Sequence, residues 1–328
     1  MKKSLLFTTI QAYSDNNDLL PTGSTVVLGL SGGPDSLFLL HVLHEWHTAG
    51  HIKLIAAHLD HAWRPESASE ALFCQHAATA LGIPFIQARL SDLDFTPQWR
   101  GSKEDLGRKA RRFFLESVAR EQNADRIALA HHAQDQQETF FIRLLRGATL
   151  TGLTGMKPKQ GLYIRPLLLT NKAEILAYLH EQNITYVTDP SNESPIFLRN
   201  RIRATVIPAL RSCDERFDKN FLSTITRLQE TETFLDTLAQ EILTQISTSH
   251  EGITRIDIPT FLATPPILRY RILLTWLCQH QLPFEPTQAF LDEIIRFLAH
   301  ERGGKHALHT SWHLVKRSQE AWLEKNAA

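Results

Sequence analysis

Six consecutive residues, Ser31-Gly32-Gly33-Pro34-Asp35-Ser36, have the make-up of a loop that holds a phosphorylated ligand. Gly32 and Gly33 let the main chain approach an anion closely. Pro34 suits the first turn of a helix, whose N-terminal N–H groups carry partial positive charge. Ser31 and Ser36 can donate hydroxyls to phosphate oxygens. Asp35 would repel a pyrophosphate unless a hard cation such as Mg²⁺ lay between them. The run lacks the GK[ST] ending of a Walker loop, whose lysine serves the β- and γ-phosphates.

Other segments carry chemistry-bearing residues. HLDHAWR, His58 to Arg64, places two histidines around an aspartate. Glu104, Arg108 and Arg111 recur at i, i+4 and i+7, on one face of a helix, with Arg112 beside them. LAHHAQDQQET (129–139) holds His131, Asp135 and Glu138, the last two at i and i+3 and so facing the same way. LLRGATLTGLTGM (144–156) is followed by RPLLLTNKAEI, TDPSNES and FLRNRIRATVIPAL.

The elements that must position these residues alternate up to about residue 190. STVVLGL (24–30), KLIAAHLD (53–60), PFIQARL (84–90), RIALAHH (126–132) and LYIRPLLL (162–169) read as strands. Residues 36–50, 67–82, 103–123 and 133–147, and NKAEILAYLHEQN, read as helices. Strand–helix alternation predicts an α/β fold, a mostly parallel sheet with helices on both faces. Ligands of such sheets bind at the carboxyl ends of the strands, where SGGPDS, HLDHAWR and HHAQDQQET fall. After Asp214 the pattern turns helical (221–246, 266–280 and 286–300), with strand-like pieces ITRIDI and HALHTSWHLV interleaved. The expected division is a catalytic domain over 1–214 and a smaller, mainly helical domain over 215–328.

Composition narrows the classes. Hydrophobic residues make up 43% of 328, enough for a sizeable core. Formal net charge is zero, yet residues 100–211 hold 18 Lys+Arg against 11 Asp+Glu, as a basic face for ATP or RNA would. The three cysteines, Cys74, Cys213 and Cys278, form no CxxC pair, so zinc-ribbon, disulfide and iron–sulfur frameworks lack their usual signal. The N-terminus does not read as a signal peptide, and no stretch approaches the roughly 18 apolar residues of a membrane span. A cytoplasmic protein without membrane contact is the expectation.

SGGPDS resembles the SGGxDS loop of the PP-loop ATP pyrophosphatase superfamily (adenine nucleotide α hydrolase-like). With HLDHAWR, Arg111, LAHHAQDQQET and the later segments in this order, residues 20 to 210 resemble the tRNA(Ile)-lysidine synthase family, in its short form with one C-terminal domain. The resemblance implies an ATP- and Mg²⁺-dependent ligase. It adenylates the wobble cytidine in the CAU anticodon of isoleucine tRNA, joins free L-lysine to its C2, and releases AMP and pyrophosphate. Codon recognition then changes from AUG to AUA. Carried over, the loop residues Ser31, Gly32, Gly33, Pro34, Asp35 and Ser36, with His58 and His131, contact ATP, and Asp35 holds the metal. Asp135 and Glu138 hold the lysine ammonium and one takes its proton; read alone, they would equally serve the helix dipole. Arg111 takes the lysine carboxylate or a phosphate. Arg143, Arg146, Arg199, Arg201 and Arg203 are candidate RNA-backbone contacts, or solvated arginines. The family often has two adjacent aspartates where this chain has Gln134-Asp135. Oligomeric state is open, a homodimer included.

Overall fold

The computed structural model describes all residues except 1, 64–65, 95–102, 189–196, 251–252, 281, 283–285 and 327–328. Arg64, the side chain of Glu104 and most of TDPSNES therefore lie outside the described residues. The chain divides into two compact units, Met1–Ile225 and Thr226–Ala328. The division falls eleven residues past the expected 214/215 boundary, because the helix from Phe217 begins in the first unit.

In the first unit, α1 (Lys2–Asn16) leads into β1 (Thr25–Gly29), α2 (Pro34–Thr48), β2 (Lys53–Asp60), α3 (Ser67–Ala80) and β3 (Phe85–Arg89). Then come α4 (Lys103–Glu121), β4 (Arg126–Ala128), α5 (Ala133–Leu145), α6 (Leu150–Leu153), β5 (Lys159–Gln160), β6 (Tyr163–Ile164) and α7 (Lys172–Glu181). Beyond these, α8 (Leu198–Arg201) and α9 (Ile207–Cys213) are joined by a π-helical stretch, Ile202–Val206, and α10 runs from Phe217 to Ile246.

The strands form one sheet in the order β3-β2-β1-β4-β6-β5, parallel except for the β5–β6 pair. Alternate residues of β1 serve opposite faces, as a pleated strand requires. Val26 and Leu28 join Phe38, Leu40, Tyr178 and Leu179 in one core, under α1, α2, α3 and α7. Val27 joins Phe114, Leu115 and Val118 of α4 in the other. The chain crosses from one side of β1 to the other between β3 and β4, and that reversal opens a crevice at the strand ends.

Two expected strands are shorter in the structure. RIALAHH is a strand only to Ala128, because its last residues turn away to cap α5. LYIRPLLL is extended pairing only at Tyr163–Ile164, although Leu167 and Leu168 are buried.

The second unit holds the rest of α10, then β7 (Ser247–His250), β8 (Ile253–Asp257), α11 (Ile258–Ala263), α12 (Pro266–Gln279), α13 (Gln288–Ala299), β9 (Gly304–His309), β10 (Trp312–Arg317) and β11 (Glu320–Lys325). Helices α10, α12 and α13 are where the sequence pattern puts them, and α11 is a short helix it did not foretell. The strand-like pieces pair into a five-stranded antiparallel sheet, β7-β8-β11-β10-β9, which the sequence pattern did not foretell. Trp276 and Phe261 are fully buried between these layers. Arg271, itself buried, ties α12 to α10 through Glu232 at 2.5 and 2.8 Å and Asp236 at 2.6 Å.

Candidate active site

The loop after β1 is shaped for close approach. Gly32 has φ +79°, a conformation that favours glycine, and a Cβ there would also crowd Cys74 Sγ at 3.2 Å. Gly33 is the N-cap of α2 and supplies no side chain to cap it, leaving first-turn N–H groups for an anion. Ser36 is used differently from the expectation. Its hydroxyl donates to Gly33 O at 2.9 Å and accepts from Ser31 N at 3.2 Å and Ser31 Oγ at 3.1 Å, so its proton braces the loop.

His58 is buried on β2 and its Nδ1 donates to Leu30 O at 2.8 Å, holding the chain where it leaves β1. Burial depresses its pKa, which keeps the ring neutral and leaves Nε2 as an acceptor. His131 follows β4. Burial pushes its pKa down to about 4, and its buried Nδ1 has no hydrogen-bond partner among the described residues.

His132 is the N-cap of α5: its Nδ1 accepts from Gln134 N at 3.2 Å, while Asp135 Oδ2 accepts from His132 N at 3.0 Å. Acceptance at Nδ1 puts the proton on Nε2, which lies 3.6 Å from both Asp35 Oδ1 and Asp135 Oδ2. One imidazole thus stands between the loop carboxylate and the first carboxylate of α5. Burial alone would lower the His132 pKa; the adjacent carboxylates of Asp35 and Asp135 outweigh it and raise it. Burial alone would raise Asp35 and Asp135. His132 and Lys172 hold Asp35 below the usual carboxylate range, and His132, Arg199 and His131 do the same for Asp135.

Three cations already sit on the acidic groups. Lys172 Nζ lies 2.5 Å from Asp35 Oδ1. Arg199 reaches Asp135 Oδ1 at 2.8 Å and Glu138 Oε2 at 2.5 Å, and Arg203 Nε lies 2.5 Å from Glu138 Oε1. Glu138 itself is fully buried.

Three of the five arginines read as RNA-backbone contacts are thus otherwise engaged. Arg199 and Arg203 face the acidic pair, and Arg143 donates from Nη1 to Gly152 O at 2.8 Å and Gly155 O at 3.0 Å. Their guanidinium groups are committed to protein acceptors in this arrangement, whereas Arg146 and Arg201 are exposed. Arg111 Nη2 is 3.3 Å from His61 Nε2.

Lys172 and His132 are the residues the sequence pattern left out, and Gln134 was noted there without a contact of its own. Lys172 had a signal: it opens a helix, where the dipole disfavours a cation, so a nearby carboxylate is needed to hold it. Gln134 binds two helix starts at once. Its Nε2 donates to Asn171 Oδ1 at 3.0 Å and its Oε1 accepts from Lys172 N at 2.9 Å.

A glycine loop at the switch point of a parallel sheet, facing carboxylates from a second strand end, places the chain among the doubly wound α/β proteins with a ligand crevice at their strand ends. The PP-loop domain family matches residues 7–210, and the chain belongs to that family. A second family, described as the TilS substrate binding domain, matches residues 256–322. The tRNA(Ile)-lysidine synthase of Bacillus anthracis is 33% identical over 298 residues, 88% of this chain and 62% of that protein. That of Bacillus subtilis strain 168 is 34% identical over 296 residues, again covering 62% of its length. The chain therefore spans about three fifths of the curated relatives it matches. A solved structure of the U34-tRNA thiolase NcsA from Methanococcus maripaludis, with its [4Fe-4S] cluster, shares the fold: its TM-score is 0.58 at 20% identity, over 70% of this chain and 80% of that one. Among the described residues, no helix is long and apolar enough to cross a membrane.

Proposed function

We propose that this chain is a lysidine-forming ligase: it uses ATP to join free L-lysine to C2 of the wobble cytidine in the CAU anticodon of isoleucine tRNA. The observation that carries the reading is the position of His132, 3.6 Å from both Asp35 of the phosphate loop and Asp135 of the acidic pair. An adenylating site and an amine site must adjoin, because the amine attacks the carbon whose oxygen has just been activated. The likeness to tRNA(Ile)-lysidine synthases over 88% of the chain supports the same reading.

In this mechanism the α2 N-terminus and the Gly32-Gly33 backbone hold the pyrophosphate portion of ATP, with His58 and His131 as neutral contacts. Mg²⁺ fits the donor set. Asp35 already binds a cation, the Lys172 ammonium, and Mg²⁺ characteristically takes one or two carboxylates plus substrate phosphates. When bound, it offsets the charge that builds on the leaving pyrophosphate. The cytosine O2 attacks the α-phosphorus, the bond to pyrophosphate breaks, and the adenylated cytidine carries AMP as its leaving group. The lysine ε-amine, with a reference pKa near ~10.4, arrives protonated. It displaces the Arg199 and Arg203 side chains from Asp135 and Glu138, as one cation replacing another. Asp135, held below the usual carboxylate range, and Glu138 bind the ammonium, and one of the two carboxylates takes its proton. The freed amine attacks C2 and AMP departs. Arg111 neutralises the lysine carboxylate, and the second unit contributes tRNA recognition.

The test incubates the protein with labelled lysine, ATP-Mg²⁺ and an isoleucine tRNA bearing CAU. Label in RNA with AMP as co-product is the expected result. Absence of lysine transfer would remove the specific function, and ADP as the nucleotide product would remove the adenylating chemistry as well.

A further inference from the structure

His61 and Trp63 follow β2 within five residues of His58, whose Nδ1 holds Leu30 at the start of the phosphate loop. Their rings are stacked, with centroids 4.6 Å apart and planes 23° from parallel. Arg111 sits against the outer nitrogen of His61, 3.3 Å from Nε2. Burial, followed by the Arg111 charge, pushes the His61 pKa down to about 4, so the imidazole is neutral and stacks as an uncharged ring. Trp63 nonetheless keeps 36% of its surface exposed, which is costly for an indole with no role outside packing.

The helix beneath is adapted to this pair. Gly107 lies inside α4, where glycine weakens a helix relative to alanine. A Cβ at 107 would stand 2.6 Å from Trp63 Cη2, 3.1 Å from Trp63 Cζ3 and 3.5 Å from His61 Cε1. The indole rim therefore rests directly on the helix backbone, and the glycine is the cost of seating it there. Arg111 is one turn further along the same helix face.

We propose that the His61–Trp63 stack is a seat for a nucleobase at the mouth of the crevice. A flat, neutral, partly exposed aromatic pair beside a guanidinium is what binds a base face, since every base has a π-face and stacking tolerates its identity. Two sources supply that chemistry: the unstacked cytosine of a single-stranded RNA loop and the adenine of ATP. Assigning the cytosine rests on the ligase reading above; the seat itself does not.

The experiment measures binding of the full chain to three probes: ATP-Mg²⁺, an anticodon hairpin with a cytidine at the wobble position, and the same hairpin abasic there. Trp63→Ala should weaken binding of the base-bearing probe by about 5- to 150-fold, the range for losing one base–aromatic stack. It should leave the abasic hairpin unchanged. Trp63→Phe should restore most of the loss, and Gly107→Ala, a better helix former that lifts the indole off its seat, should reproduce it. Loss on the cytidine hairpin alone puts the cytosine on the seat, and loss on ATP alone puts adenine there. If the wild type binds neither hairpin, the RNA reading fails and the ATP probe decides the seat by itself. Unchanged binding of Trp63→Ala to the cytidine hairpin and to ATP, or an equal loss on both hairpins with none on ATP, overturns the proposal.

Discussion

Lys172 places its ammonium 2.5 Å from Oδ1 of Asp35, a residue 137 positions earlier in the chain. The lysine stands at the first position of α7 because Asn171 and Glu174 cap that helix reciprocally: Asn171 Oδ1 accepts from Ala173 N and Glu174 Oε2 from Asn171 N, both at 3.0 Å. On the proposed ligase reading, this ammonium neutralises the loop carboxylate before ATP-Mg²⁺ binds and moves onto the phosphates afterwards. Lys172→Ala should raise the KM for ATP at least tenfold and the KM for lysine by less than threefold, about 1.4 kcal/mol or more against under 0.7 kcal/mol. Steady-state kinetics with each substrate varied in turn would check this; equal effects would remove Lys172 from the nucleotide side.

Gln134 bridges α5 and α7 by giving one hydrogen bond and taking another. Aspartate is shorter and only accepts, so it cannot keep both bonds. Gln134→Asp should cost about 1–2 kcal/mol of stability, the scale of one or two lost hydrogen bonds, and should raise the KM for ATP through Lys172. Chemical denaturation alongside ATP kinetics would detect it. An undisturbed denaturation midpoint would show that the two helix starts do not depend on the bridge.

Glu138 is fully buried between two arginines. Glu138→Ala leaves those guanidinium groups partly solvated, so the cost is well short of the 3–5 kcal/mol of a wholly buried broken pair, about 1–2 kcal/mol. In kinetics, the KM for lysine should rise far more than that for ATP. A parallel rise in both would mean that Glu138 only supports the fold.

Acid should weaken the fold in a definite window. His61 and His131 have folded pKa values of about 4, below the ordinary 6.5. Between pH 6.5 and about 4 the unfolded chain therefore binds protons that the folded chain refuses, and stability falls as pH falls. Asp35 and Asp135, depressed below 3.8, add their loss only below that. His132 acts in the opposite sense. Its raised pKa stabilises the fold below 6.5, and that contribution disappears as pH rises through the folded value. Thermal midpoints from pH 8 to 4 should pass through a maximum near neutrality. His131→Gln should flatten the acid limb; an acid limb of unchanged slope would mean that His131 is charged in the folded state.

The sheet and the loop were legible in the sequence because each rests on local rules. The alternation of apolar strand and amphipathic helix fixes a parallel α/β layer, and Gly32 at φ +79° beside Cys74 favours a residue without Cβ. The partners of Asp135 and Glu138 were not legible. Sequence shows that two carboxylates share a helix face, but nothing local says that arginines 61 to 65 residues later will cover them. The part Ser36 plays was open for a related reason. A hydroxyl at a loop end can face a ligand or the loop, and only the turn geometry decides. In the second unit, the segment HALHTSWHLV, which spans β9 and β10, buries residues only as those strands pair with each other and with β11, and such pairings are set by tertiary contacts.

The charged centre draws on residues 35, 132, 135, 138, 172, 199 and 203, which lie on four separate stretches of chain brought together across β1 and β4. A protein made from its N-terminus exposes the loop carboxylate long before the lysine and arginines that balance it have left the ribosome. Until Lys172, Arg199 and Arg203 have been made, Asp35 and the α5 acids lack the cations that pair with them in the folded unit. The charge balance of the centre is therefore complete only once about 200 residues have been made.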